Sequence, residues 1–248
     1  MATEKSVIAE NLGRIRERVA RSAGRAGRRV EDVTIVAVSK TFPFEAIRAA
    51  YDAGLRHFGE NRVQEWETKQ AHVADLRATW HLIGHLQGNK ARRAANLFDR
   101  MDSVDSFALA QKLDAAFVVE SGAQNAEING AVPRDRLRVL IEVKSGDEAT
   151  KSGVQESDLP RLAEGVAGFA HLELLGLMTI PPFLDDSEQL RPYFSRLREL
   201  RDDLVRRLNL PLPVLSMGMS HDFEIAIEEG ATEIRIGTAL FGQRAAKA

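Results

Sequence analysis

The sequence predicts an α/β fold, a single (β/α)₈ barrel of the TIM type preceded by one extra helix. Three observations carry this expectation. Eight short apolar runs recur along the chain, amphipathic helical stretches separate them, and no GxGxxG follows any run, as an open dinucleotide-binding sheet would require. Strict alternation of strand and helix implies parallel strands with right-handed crossovers, and eight such units can close on themselves. The length of 248 residues fits, because a closed barrel of this kind uses roughly 250.

The elements follow in order. The first 25 or so residues form a helix, since Val7, Ile8, Leu12, Ile15 and Val19 recur at three- and four-residue spacing. Its other face carries Arg14, Arg18, Arg21 and Arg25, with Arg28 and Arg29 beyond; a solvated face countered by Glu10 and Glu17 is expected, ahead of a nucleic-acid or partner patch. The strands are residues 33–38 (VTIVAV), 57–60 (HFGE), 80–84 (WHLIG), 100–105 (RMDSVD), 137–143 (LRVLIEV), 172–179 (LELLGLMT), 213–218 (PVLSMG) and 232–237 (TEIRIG). Helical stretches lie near 44–54, 61–75, 89–98, 106–120, 157–168, 187–208 and 221–229. Residues 121–136 are polar and glycine-bearing and read as a surface loop before the fifth strand. No linker-like stretch or composition shift divides the chain, so residues 1–248 are expected to be one domain.

Composition narrows the function classes. Apolar residues make up 44% and charged residues 28%, which suits a soluble globular core. Lys plus Arg (34) nearly balances Asp plus Glu (36), so no overall field gathers nucleic acid or an anionic membrane. The absence of Cys excludes disulfides, thiolate metal sites and cysteine nucleophiles. The charged opening, MATEKSVIAENLGRIRERV, is unlike a signal peptide, and no run of about 18 apolar residues occurs, so a cytoplasmic location is expected.

Barrel enzymes carry their working groups where strands end, which directs attention to the turns after each run. The first run ends in Lys40, and alternation sets Val36, Val38 and Lys40 on one side. An amine emerging there, desolvated by its neighbours, becomes a nucleophile able to form a Schiff base with an aldehyde. After the eighth run, Gly237 and Thr238 offer backbone N–H groups and a hydroxyl at a short helical turn. After the seventh, Ser220 is placed to cap a helix beginning near His221. Two such loops in those two places point to a phosphorylated ligand. Alternation also puts Glu233, Arg235 and Gly237 on one side, and a charge inside a barrel needs a partner. Facing the pyridine nitrogen of pyridoxal phosphate, Arg235 would keep that nitrogen unprotonated and the ring a weak electron sink.

The motifs VAVSKT, FGENRVQE, WHLIGHLQGNK, SVDS, DEATKSG, LGLMTIPP, LSMGMSHD and RIGTALFG, in this order and over nearly the whole chain, resemble the pyridoxal phosphate homeostasis protein family. That family is similar to the barrel domain of alanine racemase. The resemblance implies a barrel with pyridoxal 5'-phosphate on Lys40, its phosphate held by Ser220, Gly237 and Thr238, Arg235 facing the ring nitrogen and Asn61 near the cofactor. Ser216 and Met217 are implied neighbours without assigned roles, and Lys151 is expected to lie in a solvated polar loop, ahead of a secondary contact or gating role for the motif of Lys151, Ser152 and Gly153. His85 stands where a proline or similar residue is expected. The implied function is vitamin B6 homeostasis by cofactor storage or delivery, with apo forms of pyridoxal phosphate enzymes as recipients and no catalytic turnover.

Other constellations are weaker. His81 and His85 would align on a helix, but this stretch reads as strand and turn, which spreads them by roughly 13 Å and leaves no metal site. His81 is expected to be a structural histidine. Lys144 belongs to a solvated loop, and Asp102 and Asp105 are expected to cap the next helix. The alternative reading, an amino-acid racemase or other pyridoxal phosphate enzyme, needs a second acid opposite the lysine. Tyr51 and Tyr193 fall in outer helices and no Cys can substitute, so the carrier reading leads. In alanine racemase a separate domain supplies that acid and dimer contacts; without it the mouth is open and a monomer is expected.

Overall fold

Eight parallel strands pair in sequence order and the last closes on the first. The computed structural model describes residues 4–117, 135–146 and 152–243. The strands are β1 (Thr34–Val38), β2 (His57–Glu60), β3 (Thr79–Leu82), β4 (Arg100–Val104), β5 (Leu137–Val143), β6 (Leu172–Thr179), β7 (Val214–Met219) and β8 (Glu233–Ile236). The described helices are α1 (Glu4–Arg25), α2 (Phe44–Asp52), α3 (Val63–Lys69), α4 (Ala91–Leu97), α5 (Phe107–Ala116), α6 (Leu159–Ala167), α7 (Arg191–Leu208), α8 (Phe223–Glu228) and α9 (Thr238–Phe241). The barrel with an extra first helix is therefore the observed architecture. Among the described residues no helix is long and apolar enough to cross a membrane.

Boundaries move where a terminator outweighs periodicity. α3 stops at Lys69 and continues as a 3₁₀ turn over Gln70–His72, because Lys69 is drawn inward by acidic partners described below. α7 begins at Arg191 rather than 187, with Pro192 in its first turn and a 3₁₀ turn over Ser187–Leu190 before it. The end of the 106–120 stretch and most of the 121–136 loop lie outside the described residues.

The main apolar cluster lies between the outer face of the strands and the helices. Phe58, Trp66, Trp80 and Phe98 stack through it, with ring centroids 4.2 Å apart for Trp66 and Trp80 and 5.1 Å for Phe58 and Trp80. Trp66 Nε1 also donates to the Leu97 carbonyl, which ties α3 to α4. Because successive strand residues face opposite sides, Phe58 outward puts His57 and Gly59 inward. The lumen is accordingly polar at its centre, with His81, Arg100, Asp102, Ser216, Glu233 and Arg235 all buried.

The arginine stripe on α1 is not a merely solvated face. Arg18 makes two hydrogen bonds to the Glu224 carboxylate, at 3.2 and 2.9 Å, and Arg25 pairs with Glu228 at 2.6 Å. Arg28 donates to the Ile227 and Ala231 carbonyls. Glu10 pairs with Arg14 as the sequence suggests, but the principal counter-charges sit on α8, over two hundred residues away, where local spacing could not reveal them.

Candidate functional site

β1 ends at Val38, so Ser39, Lys40 and Thr41 form a turn rather than a continued strand. Lys40 is half-buried and its Nζ donates to Asn61 Oδ1 at 3.4 Å, in the turn that follows β2. Asn61 can sit there because residue 84, after β3, has no side chain. An ideal Cβ on Gly84 would lie 2.3 Å from the Asn61 carbonyl oxygen and 2.9 Å from its Cα. A cleft of about 430 Å³, lined in part by Asn61, Gln64, His85 and Lys90, opens beside this pair.

The turn carrying the lysine is clamped from below. Lys69 Nζ donates to the Ser39 carbonyl at 3.0 Å, to Glu60 Oε1 at 3.0 Å and to Glu65 Oε1 at 2.6 Å. Glu60 also accepts from Ser39 Oγ at 2.7 Å, and Glu65 accepts from the Thr41 N–H at 2.5 Å. Ser39 and Thr41, the residues on either side of Lys40, are thus held by this ionic cluster. Thr41 has φ +68°, in the left-handed region where a β-branched residue is strained, and the two bonds on its flanks keep it there. Burial pushes the Glu60 carboxyl up from its usual range, opposed by the Lys69 ammonium and the Ser39 hydroxyl. Sequence reasoning missed this clamp. Its visible trace was the Glu65 and Lys69 pair at four-residue spacing, indistinguishable from a surface ion pair.

The second cluster is built from the turns after β7 and β8. Ser220 does not cap α8: Asp222 occupies that position, and its Oδ1 accepts from the Met219 N–H at 2.5 Å. Ser220 Oγ instead accepts from the Ala239 N–H at 3.2 Å, joining the β7 turn to the start of α9. Gly237 precedes α9, and Thr238, its first residue, is exposed. The Ala239 N–H is already taken by Ser220 Oγ, so the Thr238 N–H and the two hydroxyls are what this turn offers an anion, a small hydroxyl-lined cup. An ideal Cβ on Gly237 would come within 3.6 Å of Val38 Cβ, which sets this glycine beside the end of β1, the strand that leads to Lys40.

Arg235 completes the set. It points into the lumen, is 3% exposed, and donates to Ser216 Oγ and to the Thr179 carbonyl, both at 2.8 Å. Two of its five donors are thereby fixed, which orients a planar cation with the others available. The structure thus brings Lys40 to Asn61, gathers Ser220, Gly237 and Thr238, and adds Arg235 anchored by Ser216. An amine, an oriented guanidinium and a hydroxyl-lined cup suit a phosphorylated aldehyde with a further acceptor atom.

Residues 11–245 match the family model described as alanine racemase, N-terminal domain. The pyridoxal phosphate homeostasis protein of Aquifex aeolicus is 46% identical over 235 residues, covering 95% of this chain and 97% of that protein. That of Pseudomonas aeruginosa is 46% identical over 239 residues, 96% of each. The chain belongs to the pyridoxal phosphate homeostasis protein family. Among solved structures, PipY of Synechococcus elongatus PCC7942, with PLP bound, matches with TM-score 0.77 and 38% identity over 95% of this chain and all of that one. Alanine racemase from Corynebacterium glutamicum, at 18% identity and TM-score 0.69, covers 97% of this chain and 61% of its own, and shares the fold.

In this member of the pyridoxal phosphate homeostasis protein family the lumen below the site is a chain of charges. His57 Nδ1 and His81 Nε2 are 3.1 Å apart, and His81 Nδ1 lies 3.2 Å from Asp102. Arg100 then bridges Asp102, at 2.6 Å, and Glu233, at 2.5 Å. His81, Asp102 and Glu233 lie within 4.8 Å of one another, but the guanidinium already stands where a cation would bind. Arg100 holds the Asp102 carboxyl far below the usual range despite complete burial. Burial and the neighbouring His81 pull His57 down to about 4.

Three expectations need correction or placement. Asp102 and Asp105 do not cap α5; Ser106 does, its Oγ accepting from the Leu109 N–H, while Asp105 lies 3.2 Å from His85 Nδ1. His81 and His85 share no partner, the first being buried and the second half-exposed. Lys151 lies outside the described residues, and the Lys144 N–H bonds to the Val154 carbonyl. Tyr51 and Tyr193 lie on α2 and α7, as expected, but Tyr193 shares a cleft with Val143, Lys144, Ser145 and Gly146 at the end of β5. A further buried acid, Glu142 on β5, was not singled out by the sequence.

Proposed function

We propose that this chain binds pyridoxal 5'-phosphate through Lys40 and holds it for storage or delivery to the apo forms of enzymes that need it. The observations that support the reading are that Lys40 reaches Asn61, that Gly237 lies against Val38 at the end of β1, and that Ser216 and Thr179 hold Arg235 two residues before Gly237. When bound, this cofactor supplies an aldehyde, a phosphate and a pyridine nitrogen. Those three groups fit the amine, the cup and the guanidinium. Asn61 accepts from the Lys40 amine and so aims it, while the Lys69 clamp fixes the turn from which it projects. The name shared by relatives with 46% identity and the PLP bound to PipY support the same reading.

The relatives are named as homeostasis proteins. We infer that amino-acid turnover is not the role of this chain either. Arg235, a cation, disfavours a protonated ring nitrogen, which weakens carbanion chemistry. Deuterium exchange at Cα of L-amino acids, dependent on Lys40 and with kcat of order 1 s⁻¹ or more, would overturn this inference.

The test of the binding site is the absorbance of the purified, loaded protein before and after borohydride, followed by peptide mapping. A reduced pyridoxyl adduct on the Lys40 peptide, lost in Lys40→Ala, is expected. An equal adduct in that variant, or one confined to another lysine, overturns the assignment.

A further inference from the structure

The extra first helix stands off the feet of β1 and β2. α1 packs on α2, α8 and α9, and between it, the 3₁₀ turn Val30–Asp32 and the turn from α2 into β2 lies a cleft of about 650 Å³, at the opposite end of β1 from Lys40. This end of a (β/α)₈ barrel ordinarily serves stability alone, whereas an opening of this volume is in the range of small-molecule sites. Val19, Val33, Ile35 and Leu55 form its apolar wall.

Two guanidinium groups meet at its rim. An ideal Cβ on Gly54 would lie 3.2 Å from Arg16 Nη2, so the bare backbone of this turn is what lets Arg16 lie across it. Arg56, two residues on, donates from Nη1 to the Tyr51 carbonyl at 2.8 Å and the Leu55 carbonyl at 2.7 Å, with its Cζ 3.9 Å from the centroid of the Tyr51 ring. Those contacts fix the plane and leave Nε and Nη2 as donors toward a ligand. Among the described residues Arg16 makes no hydrogen bond or ion pair, and neither do Glu17 and Glu31, which line the same cleft. Arg29, near Glu31, is bonded to Asp32 at 2.9 Å.

The cleft also holds an oriented acceptor. Asp102 is a carboxylate bonded to Arg100 at 2.6 and 2.9 Å, so it accepts from His81 Nδ1, 3.2 Å away. In the neutral rings this leaves the lone pair of His81 on Nε2, where it accepts from His57 Nδ1 at 3.1 Å. His57 Nε2 is then a bare acceptor. It has no partner among the described residues, it is not sealed from solvent, and His57 lines the cleft. Burial and the neighbouring His81 hold His57 down at about 4, so near neutral pH its ring meets a proton donor rather than an anion.

We propose that this cleft is a second small-molecule site, for an α-amino acid with an apolar side chain. The carboxylate bridges Arg16 and Arg56, the ammonium donates to His57 Nε2 with Glu17 and Glu31 as counter-charges, and the side chain lies on Val19, Val33 and Leu55. A simple anion would be opposed by both glutamates and would leave His57 without a donor. A simple cation would face two guanidinium groups. A ligand carrying both charges beside an apolar group satisfies the whole lining, and the site stands independently of the cofactor reading.

The probe is L-leucine, titrated into the loaded protein after borohydride reduction, so that no aldehyde remains to react with its amine, and followed through backbone amide NMR shifts. Saturable shifts at Gly54, Leu55 and His57 are expected, with Asn61 and Gly237 at the other end of the barrel unmoved. Arg16→Leu and Arg56→Gln should each weaken binding by about tenfold or more, as loss of a charge-assisted bond implies. Arg16 is exposed and unpaired among the described residues, so its replacement leaves the fold intact. Isocaproate, which lacks the ammonium, and isoamylamine, which lacks the carboxylate, should each bind at least about tenfold more weakly than leucine. The proposal is overturned by any of four results: no saturation by about 10 mM leucine, shifts centred on Asn61 and Gly237, unchanged affinity in either arginine variant, or an analogue that binds as tightly as leucine.

Discussion

Lys69 Nζ lies 3.0 Å from the carbonyl oxygen of Ser39, the residue immediately before Lys40. A lysine that touches no predicted ligand therefore governs where the reactive one stands. Its ammonium also compensates Glu60, which is fully buried, and removing one partner of such a pair strands the other.

Lys69→Met is expected to destabilise the protein by about 3 kcal/mol in chemical denaturation. Adding Glu60→Gln should recover part of that loss, since the orphaned charge disappears with it. Both variants should load Lys40 more slowly, because the Thr41 turn relaxes. A Lys69→Met protein with unchanged stability would show that the clamp is not needed.

Ser220→Ala combined with Thr238→Val should weaken retention of pyridoxal phosphate by about tenfold or more, as loss of charge-assisted hydrogen bonds implies. Capture of free pyridoxal, which has no phosphate, should change much less. Equal losses in parallel spectroscopic titrations would remove the cup from the phosphate site.

His57 predicts an acid limb in the stability curve. Its imidazole is pulled from a usual value near 6.5 to about 4, so below 6.5 the unfolded chain binds a proton that the folded one refuses. The contribution is complete above 6.5 and is lost as pH falls toward 4, a change on the order of 1–3 kcal/mol. A cleft of about 650 Å³ at the amino-terminal end of the strands, lined in part by His57, gives the proton its way in. His57→Gln should flatten this limb, read from urea midpoints across that range; an unaltered limb would assign it to other groups.

Arg18→Ala should cost about 1 kcal/mol, since it removes two bonds to Glu224 and a guanidinium 4.4 Å above the Phe223 ring at a partly exposed site. Arg21→Ala, exposed on the same helix, should stay within about 0.5 kcal/mol. Equal effects on thermal midpoints would return the stripe to a solvated face.

The barrel order, the lysine at the end of the first strand and the inward Arg235 were legible because each depends on local alternation. Asn61, Ser220, Gly237 and Thr238 were named through motif resemblance, and the cap role of Ser220 was misassigned because its partner, Ala239, lies in the first turn of another helix. The clamp was hidden since Lys69 meets Ser39 across thirty positions and a 3₁₀ turn disguises the end of α3. Glu142 looked like one polar residue in an apolar strand. Only closure of the ring sets it near Arg235.

α1 is fastened both to the early α2 and to elements more than two hundred positions away. α1 is anchored to Glu224 across 206 positions, and its Asn11 side chain donates to the Leu240 carbonyl across 229. During synthesis this segment leaves the ribosome long before α8 and α9 exist, and until then α2, which also packs on it and pairs Asp52 with Lys5, is its nearest early cover. Full docking of α1 thus waits on α8 and α9. It seals the seam between the first and last strands once β8 has closed against β1, so a chain truncated within its last thirty residues should keep an early barrel wall yet leave its own beginning only partly fastened.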